Sequence, residues 1–338
     1  MSELRQCPIS GHWVVLSSKR AERPQEFAVS RPARRVKTCS FCEWHETETP
    51  SEIVAFREPG SAPNVAGWRV RVVPNKYPAL LADADLTTLD HRGGRGMVGA
   101  GLHEVIIETP RHVVSTTDLT DAELREVLWI YRDRLVHLKE DDRIAWCSIF
   151  KNVGPDAGAT IEHTHSQLIA LPIVPSQIRD ELERARSYYD HHGSSLFRAV
   201  LDREKKLRER VVLETKNFIV FCPYAARTPY ETWLFPKTAQ AHFADIDHAH
   251  ASELARLLRE VLRGIEVLLD RPAYNYYIHT APFDIENPEH YHWHVEIIPR
   301  VTKIAGFEFS SGCYINTLPP EQAAEALREA TAANQGKP

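Results

Sequence analysis

Two stretches of this chain echo each other: His163-Thr164-His165-Ser166-Gln167-Leu168-Ile169 and His292-Trp293-His294-Val295-Glu296-Ile297-Ile298. Each closes the same succession of segments. Before the first come an alternating strand at Trp68–Pro74 and a strand at His103–Glu108. A capping box, Thr120-Asp121-Ala122-Glu123, then opens a helix to about Leu138, and a strand follows at Ile144–Phe150. Before the second come strands at Phe218–Tyr224 and Glu231–Pro236, a helix at about Ala251–Leu269 and a strand at Tyr274–His279; the last strand is read over His290–Pro299. The two series lie about 130 residues apart, so the chain is an internal duplication of a β-rich unit. The expected fold is α+β: antiparallel sheets with packed helices, in two units at 1–175 and 211–338 joined by a helical connector at 176–210.

The histidine stretch carries the most chemistry. After Gln167 the residues are apolar and stop at Pro172, as in a buried strand. Side chains alternate along a strand, so His163, His165 and Gln167 project from one face. Together they offer a nitrogen able to attack phosphorus, an amide donor and a metal ligand. A half-buried strand turning polar residues to solvent is the plain alternative, and the repetition of the whole unit argues against it.

Other segments leave their readings open at this level. Cys39-Ser40-Phe41-Cys42 is a Cys-x-x-Cys knuckle, half of a zinc site, with no βαβ pattern around it to favour a redox pair. Arg20 and Arg23 suit a phosphate clasp as well as they suit surface charge. Gly93-Gly94-Arg95-Gly96 and Gly99-Ala100-Gly101 lack the spacing of a phosphate or dinucleotide loop and read as a flexible loop. Residues from about Pro175 to Arg210 read as helix, with His191-His192 in a solvated turn. A formal charge of −5 gives no reason to expect nucleic acid or a membrane surface as partner. There is no bilayer-length apolar run and no signal-peptide core at the start, and six cysteines in 338 residues do not make a disulfide framework. A cytoplasmic protein with reduced thiols is expected.

Taken together, these residues resemble the galactose-1-phosphate uridylyltransferase family, a double-unit branch of the histidine triad superfamily. The resemblance runs through His12-Trp-Val-Val, Arg20-x-x-Arg23-Pro, Cys39-x-x-Cys42, His112 and Asn152-x-Gly154. It continues through His163-x-His165-x-Gln167, Pro229-x-Glu231-Thr, His279-x-Ala-Pro-Phe283, His292-x-His294 and Lys303-x-x-Gly-Phe-Glu308. It implies that each unit is histidine-triad-like and that His165 is the nucleophile. His165 would take UMP from UDP-glucose and pass it to galactose 1-phosphate, in galactose metabolism, while Gln167 holds a phosphoryl oxygen. It implies a zinc site of Cys39, Cys42, His112 and His163, and a second metal, iron or zinc, at Glu181, His279, His292 and His294. It assigns Arg20, Arg23, Asn75, Lys76, Asn152, Thr160, Lys303, Phe307 and Glu308 to substrate. It further implies a homodimer, with the Lys303–Glu308 segment reaching the partner's site.

Two departures from the family stand out. Asn75-Lys76-Tyr77 replaces the family's Asn-Asp-Phe near the nucleoside, a charge reversal. The C-terminal region runs from Glu308 into Ser310-Ser311-Gly312-Cys313-Tyr314-Ile315-Asn316. Both leave room for a related branch that acts on ADP-glucose with phosphate as acceptor. A zinc-stabilised nucleotide-binding protein without turnover is the third reading.

Overall fold

The computed structural model describes residues 2–22, 38–91, 94–285 and 289–335; Arg23 lies outside them. In chain order the strands and helices are β1 (Glu3–Gln6), β2 (Trp13–Leu16), β3 (Val54–Arg57), β4 (Trp68–Pro74), β5 (Thr88–His91), β6 (Gly94–Met97), β7 (Leu102–Ile107), α1 (Asp121–Leu138), β8 (Trp146–Val153) and β9 (His165–Leu171). They continue with α2 (Ser176–His192), α3 (Leu196–Leu207), β10 (Val211–Glu214), β11 (Phe218–Phe221), β12 (Thr232–Pro236), α4 (His248–Leu269), β13 (Tyr274–His279), β14 (His294–Pro299), α5 (Gly306–Ser311), β15 (Tyr314–Asn316) and α6 (Pro320–Gln335).

Ten strands join in one antiparallel sheet, ordered β10-β11-β12-β14-β13-β8-β9-β7-β4-β3. The order is the same read outward from the β13–β8 seam: β8, β9, β7, β4, β3 on one side and β13, β14, β12, β11, β10 on the other. The register repeats as well. Gln167 lies opposite Phe150 and Val105, and Glu296 lies opposite Tyr277 and Trp233. The duplication seen in sequence is therefore a pseudo-twofold in the sheet.

Alternation sorts the two faces. Val70, Val72, Ile106, Leu168, Ala170, Val295 and Ile297 pack beneath α1, α4 and α6 in one core. Helix α1 starts where the capping box requires: the Thr120 side chain accepts from the Glu123 N–H, and Glu123 reaches back to the Thr120 N–H. On the opposite face the halves differ. Over the second half lie α2, α3 and the small sheet β1-β2-β15, packed through Ile178, Phe197, Val14 and Leu16 onto Phe221 and Trp233. Over the first half lies a smaller cluster of Phe41, Trp68, Val73, Val105 and Ile107. That half buries His163 and His165 beneath this thinner cover.

Three local readings are revised. The glycine-rich segment contains a hairpin, with Thr88–His91 paired to Gly94–Met97; glycine is depleted in strands, and here the pairing overrides that preference. The helical stretch after Pro175 is two helices, broken where Gly193 takes φ +63°, and His191 and His192 form the last turn of α2. Strands β9 and β14 begin at His165 and His294, so His163 and His292 stand just before them.

Candidate active site

The knuckle closes on itself through the Cys42 N–H donating to the Cys39 carbonyl at 3.1 Å. It meets His112, from the loop after β7, and His163, at the foot of β9. Their four ligand atoms lie within 4.8 Å of one another. Cys39 Sγ is 3.7 Å from His163 Nδ1, and Cys42 Sγ is 3.4 Å from His112 Nδ1 and 3.6 Å from His163 Nδ1. Metal–sulfur and metal–nitrogen bonds of about 2.3 and 2.0 Å place tetrahedral donors about 3.5 Å apart, so the set suits a zinc-sized ion. His163 Nε2 donates to the Thr109 carbonyl at 2.8 Å, which leaves the Nδ1 lone pair directed at the thiols. Burial pushes His163 down to about 4, with His112 and His165 adding to the effect, so its ring is neutral. Burial, together with Cys39, pushes the Cys42 thiol up to about 11. Two thiols beside two imidazoles are a donor set that a divalent cation would complete.

Beside this group, His165 Nδ1 lies 2.7 Å from the His163 carbonyl. A carbonyl only accepts, so Nδ1 carries the proton and Nε2 carries the lone pair. Burial lowers the pKa of His165 and keeps the ring neutral. The edge of Phe41 packs on it, with centroids 5.3 Å apart. Gln167, two residues on, is half-buried, and its Oε1 lies 2.9 Å from His103 Nε2. Next to them is a cavity of about 430 Å³ lined by Ile53, Asn75, Leu80, Leu81 and His103 among others. Lys76 is exposed, its ammonium 3.5 Å from the Glu48 carbonyl.

The opposite face of the same strand is held by a buried charge network absent from the sequence reading. Glu108 accepts from Lys151, Ser166, Thr164 at 2.7 Å and Tyr131 at 3.1 Å, and Lys151 also donates to Thr164 at 2.7 Å. Burial raises the pKa of Glu108, but Lys151 and the hydroxyls outweigh it and hold the group below the usual carboxylate range. Thr164 and Ser166 alternate with His163, His165 and Gln167, so the network sets which face the histidines take. Lys151→Met should cost about 3–5 kcal/mol by stranding the carboxylate, read from the urea midpoint. Adding Glu108→Gln should recover much of the loss, and an unchanged midpoint in the single variant would contradict this role.

The second copy repeats the motif with a different outcome. His294 Nδ1 donates to the His292 carbonyl at 3.2 Å, the counterpart of the His165 contact. At the position of Gln167, however, Glu296 is ion-paired to Arg227 and accepts from Tyr277 at 2.6 Å; Arg227 also pairs with Glu231 at 2.6 Å. The expected second metal set is only partly gathered. His279, His294 and Glu296 bring ligand atoms within 4.8 Å, and Glu181 lies 3.1 Å from His279 Nδ1. His292 stands apart, and its Nε2 is buried without a hydrogen-bond partner among the described residues. The His292 and His294 rings both pack on Phe197 and Phe235, and Glu296 completes the gathered cluster with His279 and His294.

The remaining expected residues are dispersed. Asn152 accepts from Asn275 at 2.8 Å across the seam, and Thr160 is exposed on the following loop. Strand β15 runs parallel to β2, so α5 with Phe307 and Glu308 precedes one end of the small sheet and Arg20 follows the other. Glu308 accepts from the Ala305 N–H at 3.0 Å; Lys303 is exposed. Among the described residues, no hydrogen bond or ion pair joins Arg20, Lys303, Phe307 or Glu308 to His165 or Gln167. Nor is any helix among them long and apolar enough to cross a membrane.

Both halves of the chain match known proteins. Residues 1–175 match the family model for the N-terminal domain of galactose-1-phosphate uridyl transferase, and residues 181–335 match that for its C-terminal domain. An ADP-glucose phosphorylase from Arabidopsis thaliana is 35% identical over 334 residues, covering 97% of this chain and 92% of the relative. A galactose-1-phosphate uridylyltransferase from Thermotoga maritima is 28% identical over 340 residues, covering 97% and 98%. The crystal structure of an Arabidopsis thaliana ADP-glucose phosphorylase with bound ADP-glucose superposes with a TM-score of 0.83 at 33% identity, covering 97% of this chain and 99% of that one. With both of its halves matched, this chain belongs to the galactose-1-phosphate uridylyltransferase family of nucleotidyltransferases.

Proposed function

We propose that this protein moves a nucleoside monophosphate through a covalent intermediate on His165, with ADP-glucose as donor and inorganic phosphate as acceptor. The observation that carries the chemistry is the His165 ring itself. It is neutral, with Nδ1–H tied to the His163 carbonyl and the Nε2 lone pair free beside Gln167. Nε2 attacks the α-phosphorus; the phosphorus–oxygen bond breaks and glucose 1-phosphate leaves with the electron pair. A phosphate oxygen then attacks the same phosphorus, the phosphorus–nitrogen bond breaks, ADP departs and neutral His165 is restored. Gln167 donates its NH₂ to a phosphoryl oxygen as charge builds there. A glutamine has no proton to exchange, which favours a phosphate acceptor over activated water. A zinc ion bound by Cys39, Cys42, His112 and His163 would anchor the start of the strand and take no part in the chemistry.

The cavity beside Gln167 suits the nucleoside, with Asn75 in its lining and Lys76, the next residue of that loop, exposed. Asn152, Thr160, Arg20 and Arg23 are proposed phosphate and sugar contacts, and Lys303, Phe307 and Glu308 would serve the site of a second subunit. The identity to the plant phosphorylase favours ADP-glucose. The second reading, exchange between UDP-glucose and galactose 1-phosphate, rests on the family models and the bacterial relative.

Initial rates with ADP-glucose plus phosphate and with UDP-glucose plus galactose 1-phosphate separate the two. The first pair should exceed the second by about tenfold or more in kcat/KM. The reverse order establishes the second reading, and no turnover with either pair refutes both. Lys76→Asp changes the local charge by two units and should move the ADP-glucose to UDP-glucose ratio by several-fold. An unmoved ratio makes Lys76 irrelevant to base choice.

A further inference from the structure

His103 was read in the sequence only as the start of a strand, yet its ring occupies the junction between the cavity loop and Gln167. On β7 it shares the face of Val105, which lies opposite Gln167. The Ala79 N–H lies 3.1 Å from His103 Nδ1. A main-chain N–H has no option but to donate, so Nδ1 holds the lone pair and Nε2 holds the proton. That proton is donated to Gln167 Oε1 at 2.9 Å. Once the oxygen is engaged, the Gln167 NH₂ is turned away from the ring. The nearby Asn75 amide competes with Gln167 for the same ring nitrogen and, in this tautomer, faces it donor against donor. Its oxygen is taken by the Tyr77 N–H at 2.9 Å, and its NH₂ lies 3.1 Å from a ring nitrogen that already carries a proton, which leaves that NH₂ to bond a ligand.

We propose that His103 is a positioning residue that fixes the orientation of the Gln167 amide, so that it presents NH₂ and not carbonyl oxygen to the phosphoryl group. This rests on the reading that His165 attacks phosphorus. An amide's two ends have nearly the same shape, and only hydrogen bonds tell them apart. Without His103, the end facing the substrate is free to be an oxygen, which repels a phosphoryl oxygen. The duplicated half supports the assignment independently. By register, Glu231 holds the place of His103 and Glu296 that of Gln167, and there Arg227 bridges the two. Both halves use this position to orient the same strand residue, with chemistry suited to each.

The test uses the full-length, metal-loaded protein and its variants His103→Phe, His103→Gln, Gln167→Ala and His103→Phe/Gln167→Ala. The rate of AMP transfer to His165 in a single turnover without acceptor is compared with the dissociation constant for ADP-glucose. His103→Phe should slow transfer about 100-fold, the scale of a lost oxyanion donor, a loss far larger than any it causes in the dissociation constant through its place in the cavity wall. His103→Gln, whose amide also donates, should recover about tenfold. In the Gln167→Ala background, His103→Phe should cost less than about threefold, since both act through one contact. Additive losses, or weaker binding at an unchanged rate, overturn the proposal. If the wild-type protein takes up no nucleotide, the reading of His165 fails. The ring is then judged directly by nitrogen NMR of histidine-labelled protein, with His103 assigned by its loss in His103→Phe. The Nε2–H tautomer is expected, and the Nδ1–H tautomer would overturn the inference.

Discussion

His165→Asn should leave a folded, metal-loaded protein that takes up no nucleotide and has lost about 10⁴-fold or more of its turnover, the scale seen when a covalent nucleophile is removed. Asparagine suits the purpose because its amide can still donate to the His163 carbonyl, as His165 Nδ1 does at 2.7 Å. The strand therefore keeps its anchor while the attacking lone pair is gone. Wild-type protein incubated with nucleotide sugar and no acceptor should carry one nucleotidyl group on the peptide that contains His165. The link is a phosphoramidate, so it should be labile in acid and discharge when phosphate or a sugar 1-phosphate is added. His294→Asn is the matched control. His294 makes the same backbone contact, but its neighbour Glu296 is a carboxylate paired with Arg227, a poor seat for a phosphate. Labelling should survive that substitution. A label found on His294, or full turnover in His165→Asn, would refute the mechanism.

The second large effect concerns the Cys/His group. Cys39→Ser should remove about one equivalent of zinc per chain and lower the thermal midpoint by roughly 10 °C, because a closed metal site contributes folding free energy. Activity should fall with it. His163 is both a donor of the group and, through its carbonyl, the acceptor that orients His165. Metal content by plasma emission, the unfolding midpoint and the labelling rate should drop together, and stripping the wild-type protein with a chelator should reproduce the same three losses. A variant that retains its zinc and its midpoint would remove these four residues from consideration as a metal site.

Much of this was legible from residue types at short spacing. Cys39-x-x-Cys42, His163-x-His165-x-Gln167 and its echo at His292 and His294 are local patterns, and a strand's alternation turns them into geometry. The order of elements around them exposed the duplication. What escaped reading depends on partners far apart in the chain. Lys151, Glu108, Thr164 and Ser166 look like ordinary strand residues until β7, β8 and β9 are laid side by side. His103 sits in an unremarkable strand, and only the register with β9 brings it to Gln167. His292 was grouped with metal donors by its place in the pattern. It lies two residues before β14, and the ligand atoms gathered within 4.8 Å are those of His279, His294 and Glu296. Arg227 passed unread because its two carboxylate partners come from separate segments.

The seam between β8 and β13 has one more consequence. There, Ile149 to Val153 pair with Ile278 to Tyr274, and Asn275 binds Asn152 at 2.8 Å. Each half thereby covers the other's open flank. A protease or a truncation that released residues 1–175 alone would bare the hydrogen-bonding row that β8 turns toward β13, while its other edge stayed paired with β9. An uncovered strand of that kind recruits another. The freed half would be sticky, and its easiest new neighbour would be a second copy of itself, back to back across the same strand.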